Sequence, residues 1–191
     1  MHRLARLWLA AAALPFSIAQ TAAAEPVRSI SGVAGIQIYN NYNAVFIEPW
    51  TTDFGDAALA GVAGALDWQL WRKVSYGIEG QIVGHFGSNN HFVVNFIPLN
   101  LRYTPDGEYG PIRSFAGGLG VSIASDDPSF EIERQGETQT VLAYWYLETA
   151  FDGMGPKRDL FLRLHHRSNA YGTFEADGSS NAVVLGVRQR F

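Results

Sequence analysis

The sequence predicts an all-β protein, an eight-stranded antiparallel transmembrane β-barrel behind an N-terminal signal peptide. Three observations carry this. The first is the tail. From Asp159 onward, Leu160, Leu162 and Leu164 share one strand face with His166 and Ser168, while Arg163, His165 and Arg167 share the other. Charge on one face and leucine on the other suits a strand between lipid and a polar interior. The second is repetition. Eight segments separated by turn signals read as strands: Arg28–Tyr39, Ala57–Trp71, Ser75–Phe86, His91–Tyr103, Ile112–Ala124, Gln139–Phe151, Asp159–Ser168 and Asn181–Phe191. Their lengths, about ten residues or more, fit tilted membrane strands. The third is that no apolar run of about 18 residues follows the first segment, so a spanning helix is not expected.

The N-terminus has the parts of a secretory signal. Arg3 and Arg6 make a positive start, Leu7 to Leu14 is apolar but short, and Ala22 and Ala24 fit a small-residue cleavage site before Glu25. The expected domains are a signal peptide over 1–24 and an outer-membrane β-barrel over 25–191, in a Gram-negative cell envelope. Eighteen acidic residues against 14 basic ones give a formal net charge of −4, made more negative by loss of Arg3 and Arg6. That balance argues against a nucleic-acid partner. Without cysteine, the chain has no disulfide framework, thiolate metal site, cysteine nucleophile or lipoprotein anchor. Mean hydropathy is close to zero, as expected where apolar and polar residues alternate.

Each strand repeats the pattern. In the third, Tyr76, Ile78, Ile82 and Phe86 oppose Glu79, Gln81 and His85. In the fifth, Phe115, Leu119, Val121 and Ile123 oppose Ser114, Gly118, Gly120 and Ser122. In the sixth, Val141, Trp145, Leu147 and Phe151 oppose Tyr144, Tyr146 and Glu148, and in the eighth Val183, Leu185 and Val187 oppose Gly186, Arg188 and Arg190. In the fourth, Asn95 falls among apolar residues and Pro98 interrupts the ladder, which predicts a bulge. An eight-stranded barrel is filled by side chains. Asp67, Glu79 and Glu148 are therefore expected to pair with Arg102, Arg163, Arg188 and Arg190, closing the lumen to a pore.

Connections alternate in length. Arg72–Val74, Thr104–Pro111 and Asp152–Arg158 are compact; Asn40–Asp56, Ser125–Thr138 and Asn169–Ser180 are longer, although Gly87–Asn90 is short. Short turns are periplasmic in such barrels, which puts His166 and Ser168 near the outer end of the seventh strand.

That pair is the candidate chemistry. His166 and Ser168 project from the lipid-facing side, and Asn181, outward on the eighth strand, is expected across from them. A hydroxyl, an imidazole and an orienting polar group are the parts of an acyl-transfer nucleophile. The run His166-Arg167-Ser168-Asn169 near the end of the penultimate strand resembles the outer-membrane lipid A 3-O-deacylases. The signal sequence, the eight strands and the terminal Phe191 agree with that family, but the specific match is confined to the tail. The resemblance implies Ser168 as nucleophile and His166 as base, cutting an ester-linked acyl chain from lipid A of outer-leaflet lipopolysaccharide. No metal or other cofactor is expected. It further implies that Asn169 polarises the acyl carbonyl, a role that requires the strand to break after Ser168. The chain departs from the family at one point: Asn181 stands where the family has a Glu, with Glu175 in the last loop as an alternative acid.

Competing readings use the same residues. His166 and Ser168 also suit a polar cuff where a strand leaves the membrane, at a cost of only about 0–1 kcal/mol. The protein would then be a structural or surface-binding barrel, or a diverged lipid A binder that does not cut. His85, His91, His165 and His166 lack a tight metal-ligand spacing. Asp126, Asp127, Glu131, Glu133 and Glu137 form an acidic outer loop, read as solvated or as a Ca²⁺ contact. Trp50, Trp68, Trp71, Tyr103 and Trp145 read as interfacial aromatics.

Overall fold

A computed structural model describes residues 25–87 and 90–191, and the expected signal peptide lies outside the described residues. The chain forms one closed barrel of eight strands: β1 (Val27–Ile38), β2 (Phe54–Trp71), β3 (Val74–Phe86), β4 (His91–Tyr103), β5 (Ile112–Ala124), β6 (Val141–Phe151), β7 (Arg158–Ser168) and β8 (Ser179–Arg190). Sequence neighbours pair antiparallel, and β1 closes on β8 from Ser29↔Arg190 to Ile38↔Asn181.

Alternation decides which side meets lipid. Ile30, Val62, Ile82, Phe96, Leu119, Leu147, Leu162 and Leu185 are 42% to 58% exposed and ring the outer wall. An apolar belt of this extent is stable only against an apolar solvent. Among the described residues no helix is long and apolar enough to cross a membrane, so the strands do the spanning.

The bulge expected in β4 is present, with the register shifting between Phe96 and Leu99. Proline donates no ladder hydrogen bond, so the strand slips there and its parity flips. Val93, Asn95 and Ile97 are buried before the slip, and Asn100 and Arg102 after it. Asn95 thus faces inward, where Gln81 accepts its amide at 3.0 Å.

The lumen is filled. Arg163 donates to Glu79 at 2.6 and 3.2 Å and to Glu148 at 3.0 and 2.5 Å. Glu148 also accepts Arg102 at 2.7 Å and Arg188 at 2.6 Å. The Arg163 guanidinium lies 3.8 Å from the Tyr146 ring centroid. Small residues make the room: a β-carbon on Gly186 would come 2.2 Å from Phe161, and one on Gly118 would come 2.3 Å from Tyr146. Two expected pairings differ. Asp67 accepts the Asn100 amide at 3.4 Å and forms no ion pair among the described residues. Arg190 pairs at 2.6 Å with Asp159, an acid at the opening of β7 that also holds Arg113 at 2.9 Å.

Two of the longer connections contain short helices. The first contains helix α1 (Tyr42–Ile47) and a 3₁₀ turn, Pro49–Thr51. β2 starts three residues before the expected Ala57, because the Tyr39 N–H donates to the Asp53 carbonyl at 2.9 Å and carries the ladder outward. The second long connection contains α2 (Ser129–Gln135), whose Phe130 and Glu131 are buried. Glu131, expected among solvated acids, instead plugs the barrel mouth, where it pairs with Arg167 and accepts Ser180 Oγ at 2.7 Å. β6 begins at Val141 and not at Gln139, since the Gln139 and Thr140 carbonyls accept Arg167 at 2.7 Å each.

Candidate active site

The outer end of the β6–β7–β8 wall is covered. Along β7 the outward leucines begin exposed, Leu160 at 41% and Leu162 at 42%, but Leu164 falls to 5% and His166 to 8%. The cover is the first long connection. The Tyr42 ring lies edge-on to His166 and to Trp145, at 5.1 Å from each. Val45 overhangs a cleft of about 360 Å³ floored by Leu147, Leu162, Leu164 and Val183. The neighbouring phenol of Tyr171 in the last loop raises that of Tyr42 above its usual value.

Register places the site residues. His166 lies directly opposite Trp145 on β6 and Asn181 on β8. All three point outward, so the imidazole is held from both sides. Its ring is 4.7 Å from the indole, tilted by 35°, and its Nδ1 is 2.6 Å from Asn181 Oδ1. The Asn181 Nδ2 donates to the Asn40 carbonyl at 2.8 Å. That contact assigns the amide, since only an NH₂ group can meet a carbonyl oxygen. The oxygen of Asn181 must therefore face the ring, and Nδ1 must carry the imidazole proton. Nε2 is left with its lone pair, the tautomer a general base requires.

Asn40 organises the cover. Its Nδ2 donates to the Thr51 carbonyl at 3.2 Å and its Oδ1 accepts the Asp53 N–H, which ties the ends of the connection together. Its own carbonyl accepts Arg134 of α2 at 3.3 Å, and Arg134 also reaches Asn41 Oδ1 at 2.8 Å.

The other expected residues are placed as follows. Ser168 is the last residue of β7, half-buried, two positions from His166 on the same face. Such neighbours are about 6–7 Å apart along a strand. Among the described residues Ser168 Oγ makes no hydrogen bond, so the His166–Ser168 contact is open in this state. Asn169 lies just beyond the strand end and donates to Asp177 at 2.6 Å. Ala170 and Tyr171 then follow with positive φ. Glu175 is exposed in that loop and makes no hydrogen bond to His166 among the described residues. His165 faces the lumen beneath Tyr144, and His85 stacks on His91 at 4.6 Å. These three lie on the other side of the wall from His166. Sequence reasoning missed Tyr42, Asn40 and Arg134. Trp145 reads from sequence as an interfacial aromatic, and its outward parity opposite His166 is visible in the pattern alone.

The fold and this patch define a class: a transmembrane barrel of the outer-membrane type, with a covered imidazole–amide pair on its lipid-side wall. No protein-family model and no characterised protein sequence matches the chain. Among solved structures it is similar to the outer membrane enzyme PagL, with a TM-score of 0.61 and 13% identity over 84% of this chain and 98% of that one. It is also similar to Neisserial surface protein A, with a TM-score of 0.51 and 11% identity over 86% of this chain and 97% of that one. At these identities the likeness is one of fold. That fold and the apolar belt together place the chain in an outer membrane.

Proposed function

We propose that this protein is an outer-membrane hydrolase that removes an ester-linked acyl chain from lipid A, with Ser168 as nucleophile, His166 as general base and Asn181 as orienting residue. The observation that carries the reading is the 2.6 Å contact between His166 and Asn181 on the lipid-facing side of the wall. A structural cuff has no need of a fixed tautomer. The apolar cleft beneath His166 is suited to a hydrocarbon chain, and the motif's resemblance to the lipid A 3-O-deacylases supplies the ester.

The chemistry follows from the tautomer. His166 Nε2 takes the Ser168 proton as Oγ attacks the ester carbonyl. The imidazolium returns that proton to the departing sugar oxygen, leaving the acyl group on Ser168. Water, activated by the same nitrogen, then releases the fatty acid. Asn181 holds the ring but cannot offset its charge as a carboxylate would. The Trp145 face supplies part of that stabilisation. Asn169, released from Asp177, would serve as donor to the carbonyl oxygen, the role the resemblance implies. Closure of the His166–Ser168 contact accompanies substrate entry, as catalytic hydrogen bonds often tighten only in the complex.

One observation favours a second reading. The open His166–Ser168 contact suits a barrel that binds lipid A without cutting it. Mass spectrometry of lipid A from cells expressing the wild type or Ser168→Ala separates the two. The proposal expects loss of one hydroxyacyl chain with the wild type alone. Identical lipid A from both strains would leave the binding reading.

A further inference from the structure

The hydrogen bonds behind Asn181 continue away from the strand wall. An amide has two unlike ends, and a carboxylate does not. Turned over, Asn181 would present Nδ2 to His166, force the proton onto Nε2 and abolish the base. A chain that uses Asn at this position needs a device that reads the amide's orientation. The Asn40 carbonyl is placed to do so, at 2.8 Å from Asn181 Nδ2. It belongs to a loop, not to the barrel ladder, and Arg134 ties that loop to α2 through Asn40 O at 3.3 Å and Asn41 Oδ1 at 2.8 Å.

We infer that Arg134 is a positioning residue that sets the His166 tautomer through Asn40 and Asn181; the inference rests on the proposed role of His166. Arg134 makes no ion pair among the described residues, and its Nη1 is buried without a hydrogen-bond partner. A cation retained for stability alone would not forgo both. Its second guanidinium nitrogen spans the two loop acceptors, which holds the carbonyl at a fixed height above the wall. The network thus links three outer elements, α2, the first connection and β8, to one imidazole nitrogen.

The test uses the full mature barrel refolded in detergent micelles with ¹⁵N-labelled histidine, at a pH where His166 is neutral. His166→Gln identifies the resonance by its loss. The expected wild-type spectrum has the proton on Nδ1. Arg134→Met keeps the aliphatic stem, and the barrel should remain resistant to unfolding by detergent on an unheated gel. The Nδ1-protonated fraction should fall, and lipid A hydrolysis should fall about tenfold, the scale of one lost charged hydrogen bond. Arg134→Lys retains a donor and should restore most of the wild-type spectrum. An Arg134→Met spectrum identical to wild type would overturn the inference, as would failure of Arg134→Lys to differ from Arg134→Met. The tautomer is read without turnover. A spectral shift in a barrel that hydrolyses nothing would sustain the positioning network and remove the hydrolase reading. Hydrolysis with an unmoved spectrum would do the reverse.

Discussion

Glu148→Leu is expected to destabilise the barrel by about 3–5 kcal/mol, the cost of breaking a buried ion pair by removing one partner. Glu148 has no solvent-exposed side-chain surface and accepts hydrogen bonds from Arg102, Arg163 and Arg188. Arg163 keeps a second carboxylate at close range, Glu79 at 2.6 Å, when Glu148 is lost. Arg102 retains Ser114 Oγ at 3.1 Å, and Arg188 retains a distant contact with Asp159 at 3.8 Å. Two guanidinium groups would then lie in the lumen without an adequate counter-charge. Glu148→Gln keeps the acceptor oxygen and should cost less. Urea titration of the refolded barrel, followed by tryptophan fluorescence, measures both. An unchanged midpoint for Glu148→Leu would mean that the lumen is wetter than its packing implies.

Asn181→Leu is expected to lower hydrolysis by about three to four orders of magnitude, the scale seen when the orienting group of a catalytic histidine is lost. Leucine neither accepts from Nδ1 nor donates to the Asn40 carbonyl, so both the ring and the cover lose their anchor. Asn181→Glu should act in the opposite sense, raising the rate by about ten- to a hundredfold as charge opposes charge in the imidazolium transition state. Initial rates on purified lipid A in mixed micelles give both values. Equal rates for Asn181→Leu and wild type would detach Asn181 from the chemistry, whatever its contact with the ring.

Most of the barrel was legible because its code is local. A strand between lipid and a filled lumen must alternate, so parity alone sorts Leu162 from Arg163 and sets Asn181 on the same face as His166. Pro98 was legible for the same reason, as a residue that cannot serve a ladder. The partner of each charge was not. Asp67 and Asp159 are both inward acids, and only the packed lumen decides that Arg190 goes to Asp159. The short helices were hidden as well. The residue preceding each one makes no side-chain cap, and six or seven residues hold too little pattern to betray a helix. The cover over His166 was illegible in principle, since it depends on a contact between Asn40 and Asn181, residues far apart in the chain. Sequence found the histidine, the serine and the amide; it could not find what holds the amide the right way round.

The central claim is that Ser168 is a nucleophile activated by His166 on the lipid-facing wall. A long-chain alkyl fluorophosphonate tests it directly on the purified barrel. Attack by Ser168 Oγ forms a phosphorus–oxygen bond, expels fluoride and leaves the hydroxyl proton with His166. Intact-mass measurement should reveal one adduct on the wild type, mapped by digestion to Ser168, much slower labelling of His166→Ala, and none on Ser168→Ala. A wild-type barrel that stays unlabelled, or a Ser168→Ala barrel that labels equally, would contradict the account.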